Sequence, residues 1–145
     1  MIWITKKFDE LNVHELYGIL QLRSKVFVVE QNCAYQDLDD VDKKSWHLFG
    51  TQNESIVAYA RLIPQNINYP EASIGRVVTD HAVRGEKIGK ELMKLSIAKC
   101  EELFATKQIT ISAQCYLKKF YNECGFTEIG EEYLEDNIPH IKMKK

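Results

Sequence analysis

No run of residues is long and apolar enough to span a bilayer. The opening segment, MIWITKKFDE, lacks the apolar length of a secretory leader, so the expected location is the cytoplasm. Cysteine is sparse. Cys33, Cys100, Cys115 and Cys124 form no C-x-x-C pair, and His47, His81 and His140 stand at no zinc-like spacing, so no metal is expected. The thiols read as buried or half-buried groups in a reducing compartment. An excess of one charge is also missing: the net charge is −2, which gives no bulk electrostatic case for nucleic acid or membrane partners. There is no repeat, linker or low-complexity tract. Walker A spacing and G-x-G-x-x-G are absent, which excludes the P-loop and the dinucleotide fingerprint. No EF-hand spacing with its glycine occurs.

What is present is an ordinary globular mixture, 45% hydrophobic and 28% charged over 145 residues, enough for one domain with a real core. Met1 to Lys6 reads as an edge strand. Asn12, with Glu15 three residues on, is an N-cap with a box-like partner for a helix reaching Phe27 or Val28, with a break near Gln21. Trp46 to Gly50 and Ser55 to Ile63 form a hairpin. Ser73 to Thr79 is a strand, and an amphipathic helix runs on to Phe104. Lys107 to Gln114 is a strand, Tyr116 to Cys124 a short helix closed by Gly125, and Phe126 to Tyr133 and Ile138 to Met143 are final strands. The order β-α-β-β-β-α-β-α-β-β predicts an α/β domain with a mixed sheet and helices on its faces.

One stretch organises the rest: SIGRVVTDHAVRGEKIGKELMKLSIAKCEELF, from Ser73 to Phe104. A strand passes through a basic, glycine-containing turn into a helix whose first amides have no internal partner. That is a natural anion site. The plainer reading is a well-made strand–helix connection, with Gly85 and Gly89 serving tight turning and close packing. Upstream, Asp37, Asp39, Asp40 and Asp42 form either a solvated acidic loop or a rim for a cationic substrate. Glu30 ends an apolar run, so it is either an ordinary exposed acid or a partly desolvated one with a raised pKa. Arg76 lies inside an apolar strand and either points to a cleft or pairs with an acid such as Glu30. His47 and His140 sit on strands, where a lone histidine is most often structural.

The segment RGEKIG and the downstream QCYLKKFYNECGF resemble two motif regions of the GNAT superfamily of acyl-CoA N-acyltransferases. The family loop reads (R or Q)-x-x-G-x-(G or A); Arg84 and Gly89 match, and Lys87 stands at the first glycine, where a lysine fits if its φ is negative. The second region, N-x-x-A-x-x-(L or F)-Y-x-x-x-G-F, is matched by Phe120, Tyr121, Gly125 and Phe126, with Gln114 and Leu117 replacing Asn and Ala. The combination of LQLRxxVFVVEQ, YQDLDxxD, VAYARL, IGRV and IPHIxM is similar, over almost the whole chain, to the ElaA-type branch.

The resemblance implies a central sheet splayed between two parallel strands and acetyl-CoA, or another acyl-CoA, as co-substrate. The pantetheine would lie along Val77, Val78 and Thr79, and the pyrophosphate on the amides of Gly85, Glu86, Lys87, Ile88, Gly89 and Lys90, supported by the Arg84 and Lys87 side chains, with Gln114 nearby. Tyr121 would protonate the leaving thiolate; its plainer reading is a core aromatic. Glu30 is the expected base, with His47 and Arg76 as substrate-pocket residues. The implied reaction is direct transfer of an acetyl group to a primary amine of a small molecule or peptide; no cysteine has a convincing activating neighbour for a covalent route. A homodimer is left open. The alternatives are a non-catalytic acyl-CoA-binding module and an enzyme like the acyl-homoserine-lactone synthases.

Overall fold

The computed structural model describes every residue from Met1 to Lys145. Strand β1 (Ile2–Lys7) is followed by helix α1 (Val13–Arg23). The cap forms as the sequence pattern predicts. Asn12 Oδ1 accepts from the Glu15 N–H at 2.8 Å, and Glu15 Oε1 accepts from the Asn12 N–H at 3.0 Å, satisfying two otherwise orphaned donors. The expected break near Gln21 is not there. Winding changes at Ser24, where the helix widens into a π-helical stretch, Ser24–Glu30. Such wide turns are rare and cluster at functional sites; here the turn ends at the mouth of a cavity.

The hairpin of β2 (Trp46–Gln52) and β3 (Ser55–Ile63) closes on Asn53 and Glu54, both with positive φ, as a two-residue turn matching the strand twist requires. With β4 (Ser73–Thr79) these strands make an antiparallel sheet ordered β1-β2-β3-β4. Helix α2 (Ile88–Phe104), β5 (Thr110–Gln114), helix α3 (Lys118–Glu123), β6 (Thr127–Glu135) and β7 (Ile138–Lys144) follow. The last three strands form a second antiparallel sheet, ordered β5-β7-β6. The two sheets meet at one parallel contact, Ala72 beside Ile109, where the Thr110 N–H donates to the Ala72 carbonyl at 2.9 Å. Beyond it no ladder joins β4 to β5, and the strands part. This is the splay that the resemblance implies. The strand expected from Lys107 begins at Thr110, and Ile109 just before it continues the same pairing by exchanging backbone bonds with Lys145.

Strand alternation sorts the core into two layers. Leu48, Ala58, Ala60 and Leu62 face Leu92 and Met93 of α2, joined from the second sheet by Ile111, Ile141 and Met143. Phe49, Tyr59 and Val78 face Ile19, Leu22 and Val26 on the α1 side. The same alternation turns Ser112, His140 and Lys142 away from the α2 layer. No helix of the chain is long and apolar enough to cross a membrane.

Candidate active site

A cavity of about 570 Å³ opens where β4 and β5 diverge. Its β4 wall is irregular. Arg61 pairs with Gly75 and Tyr59 with Val78, so Arg76 and Val77 together oppose Ala60 alone. This is a bulge, and it frees the backbone there from regular pairing. Arg76 has φ 49, a left-handed conformation costly for a residue with a side chain. Its guanidinium is held in compensation: Nε donates to Asp37 Oδ1 at 2.8 Å, Nη2 to the Asp37 carbonyl at 3.0 Å, and the group lies over the Tyr35 ring. Arg76 therefore lines the cavity and pairs with an acid, but the acid is Asp37 and not Glu30.

The aspartate loop is solvated only in part, at Asp39 and Asp40, and is not a free acidic rim. Asp37 and Asp42 are buried. Arg23 donates to both at 2.8 Å, and Arg61 donates to Asp42 at 2.8 Å and to Asp39 at 2.6 Å. The charge that looked available for a substrate is used to hold three arginines, of which Arg61 and Arg76 line the cavity and Arg23 lies outside it. A sequence signal existed: Arg23, Arg61 and Arg76 each sit in a strongly apolar stretch, and buried cations need counterions.

His47 is not a pocket residue. It is buried outside the cavity, with Nδ1 bonded to the Tyr59 hydroxyl at 2.7 Å and Nε2 to the Asp42 carbonyl at 2.8 Å. Burial pushes its pKa down. Glu30 also departs from expectation. It lies at the cavity mouth, exposed, in an ion pair with Arg84. The Arg84 hydrogen bonds hold its carboxyl below the usual range. A base needs the opposite shift, so Glu30 is a poor one. Arg84 is correspondingly occupied: besides Glu30, it donates to the Thr79 carbonyl at 3.0 Å.

The loop after β4 forms a smaller hollow of about 310 Å³ against Phe120. Gly85 has φ 89, which suits glycine alone. Lys87, at φ 61 and ψ 19, is also left-handed, against the negative φ expected of it. This residue turns the chain into α2 as a glycine would. The amides of Gly85, Lys87, Ile88, Gly89 and Lys90 take no hydrogen bond within the chain. Those of Ile88, Gly89 and Lys90 open a helix of 17 residues, so the helix dipole adds to their pull on an anion. Glu86 does not join them: its side chain is outside both hollows, and its N–H leans on the Val83 carbonyl at 3.4 Å. Lys90 pairs with Glu123 at 2.6 Å. A Cβ on Gly89 would meet Phe120 at 3.6 Å, an ordinary contact, so crowding alone does not demand glycine there.

Tyr121 faces the cavity from α3, edge-on to Phe120 and Phe126 at 5.1 and 6.2 Å. Burial raises its pKa well above the ordinary phenol, and no hydrogen bond contributes. Val77, Val78 and Thr79 line the β4 wall. Gln114, at the end of β5, is hydrogen-bonded at 3.2 Å to Gln31 at the end of the π-helical stretch. That side-chain bond ties β5 to the end of the π-helical stretch. Gln31 was not among the sequence candidates. Neither were Tyr69, Tyr133 and Ser112, which cluster on the uncovered face of the second sheet. Burial, with Tyr133 and Glu135 alongside, pushes the Tyr69 hydroxyl up to about 12. Periodicity in IPHIKM was the available sign, since it sets His140 and Lys142 opposite the buried Ile141 and Met143. Three thiols are pushed away from activation: burial raises Cys100 to about 12 and lifts Cys115 and Cys124 as well.

Comparison with known proteins matches residues 11–145 to the family described as "Acetyltransferase (GNAT) domain". A UPF0039 protein of a Synechocystis strain is 44% identical over 142 residues, 97% of this chain and 92% of its own length. Among solved structures, an acyl-CoA N-acyltransferase from Pseudomonas aeruginosa superposes with a TM-score of 0.94 at 39% identity, covering 100% of this chain and 99% of that one. ElaA from Escherichia coli superposes at 0.93 with 41% identity over the same shares.

Proposed function

The chain belongs to the GNAT acetyltransferase family, and from that premise we propose that it transfers an acetyl group from acetyl-CoA to a primary amine by direct attack in the β4–β5 splay. The observation that carries this reading is the set of unpaired amides of Gly85, Lys87, Ile88, Gly89 and Lys90, in a hollow that shares Thr79, Arg84, Gly89 and Phe120 with the cavity holding the β4 bulge and Tyr121. Unpaired N–H groups at a helix start suit a pyrophosphate. Lys87 is the nearby side chain with charge to spare, since Arg84 and Lys90 are paired with carboxylates.

The pantetheine arm would lie along Val77, Val78 and Thr79, adding to the open edge of β4 in the manner of a strand. Backbone released by the bulge at Arg76–Val77 would place an N–H toward the thioester carbonyl, where charge develops as the amine attacks. Tyr121, kept protonated by burial, would supply the proton to the departing sulfur.

Binding and turnover are tested separately. Acetyl-CoA at millimolar concentration should raise the melting temperature by mass action. Thiol release across a panel of alkyl and peptide amines should then find an acceptor. Absence of any thermal shift would sink the reading. A shift without thiol release against any amine would assign the chain to acyl-CoA binding without catalysis.

A further inference from the structure

With Asp37, Asp39 and Asp42 tied to arginines, Asp40 outside the cavity beside Lys43, and Glu30 tied to Arg84, the groups left to receive an amine are on the other wall. Two of them touch. His140 Nε2 lies 3.2 Å from Glu135 Oε2, and both residues line the cavity. His140 is buried, stacked on Tyr133 at 6.2 Å between ring centroids, and is the only imidazole in the cavity wall. Its Nδ1 is 2.7 Å from the Ile138 carbonyl. A carbonyl only accepts, so Nδ1 carries the proton, and in the neutral ring Nε2 holds the lone pair; it lies beside Glu135 without a hydrogen bond to it. Glu135, half exposed, ends β6, with Asp136 of the following turn also on the cavity wall.

We propose that Glu135 and His140 form the acceptor site for a cationic primary amine, Glu135 binding the ammonium and His140 Nε2 taking its proton. This rests on the acetyltransferase reading above. An alkylammonium has a pKa of about 10, so at neutral pH it must be relieved of a proton before it can attack. A carboxylate oxygen and an imidazole lone pair side by side can each accept an N–H from one ammonium on the cavity side of the pair. The groups around the ring are Gln114, its register partner on β5, Tyr133 and Glu135 on β6, and Lys142 on β7.

The proton balance closes. The ammonium gives one proton to Nε2, and Glu135 steadies the imidazolium. The freed lone pair forms the C–N bond at the thioester carbonyl. On collapse the C–S bond breaks and sulfur leaves with the Tyr121 proton. The nitrogen gives up a second proton, which restores Tyr121 through solvent. The imidazolium then releases its proton to water at the exposed Glu135 edge. The sum is ammonium plus thioester giving amide, thiol and one proton.

The experiment compares two kinds of acceptor: an alkylamine active in the panel and hydroxylamine, which is already unprotonated at neutral pH. His140→Gln should lower kcat/KM for the alkylamine by about 10²-fold or more, while hydroxylamine loses about fivefold at most. Glu135→Gln, at a half-exposed position that does not threaten folding, should raise KM about tenfold for the alkylamine and leave hydroxylamine near wild type. Equal losses on both acceptors would reduce His140 to a structural residue and overturn the proposal, as would unchanged rates in either variant. If wild type releases thiol with no amine at all, the acetyltransferase reading falls first and takes this assignment with it. If His140→Gln does not fold, the Glu135→Gln selectivity decides.

Discussion

At the scale of single residues, protonation state is set by neighbours more than by residue type. Tyr121 and Glu30 were both candidates on position, and their surroundings separate them. Phe120 and Phe126 bury the Tyr121 ring, so its hydroxyl stays protonated through the working range. Arg84 keeps Glu30 ionised. An acid should hold its proton until the transition state, and a base should want one; Tyr121 meets its requirement and Glu30 does not. Tyr121→Phe should therefore cut kcat by about 10²-fold with the affinity for CoA unchanged, since the phenyl ring keeps the packing. Steady-state kinetics beside a CoA binding isotherm check this, and an unchanged kcat would remove Tyr121 from the acid role. FYxxxGF made the tyrosine legible in the sequence. Nothing local to Glu30 foretold Arg84, which is 54 residues away.

At the scale of elements, the turn into α2 is decided by backbone conformation. Lys87 occupies a left-handed position that glycine fills without a Cβ penalty. If the amides grip the pyrophosphate, the side chain there is an accessory. Lys87→Gly should leave stability unchanged or raise it by up to about 1 kcal/mol. It should hold the Kd for CoA within about threefold, the scale of an exposed charge. Calorimetric titration and a thermal melt measure both; a tenfold weaker Kd would give the lysine charge the larger part. The cap of α1 belongs to this scale too. Asn12 and Glu15 were readable because a capping box is local, three residues long and stereochemically fixed. The shift to a π-helical winding at Ser24 was not, because it accompanies a tertiary event: Arg23, the residue before it, is buried against Asp37 and Asp42.

At the scale of the molecule, the Arg23–Asp42–Arg61 cluster ties α1, the loop before β2 and β3 into one unit. Burial opposes the Asp42 charge, but Arg23 and Arg61 more than offset it, and its pKa lies below the ordinary aspartate. A depressed folded pKa gives stability that is complete above the unfolded value, about 4, and is lost as pH falls through the folded one. Urea midpoints should thus decline below about pH 4. Asp42→Asn should cost about 3 kcal/mol or more at pH 7, by leaving two buried guanidinium groups short of a counterion, and should flatten that acid decline. A variant as stable as wild type at pH 7 would show the cluster to be dispensable.

The sequence by itself determined the strands, the helices, the hairpin and helix-start turns and the two motif regions, because each depends on periodicity or on residues a few positions apart. It also determined the family, because the motifs recur in order along the chain. The tertiary structure alone decided which charges were free. Asp37, Asp42, Arg84 and Glu30 looked available when read singly, and each found a partner many residues distant. His140 and Glu135 looked incidental until the splay set them in one wall. Side-chain electrostatics act through space over a few ångströms, and the spacing of residues along the chain does not encode that proximity.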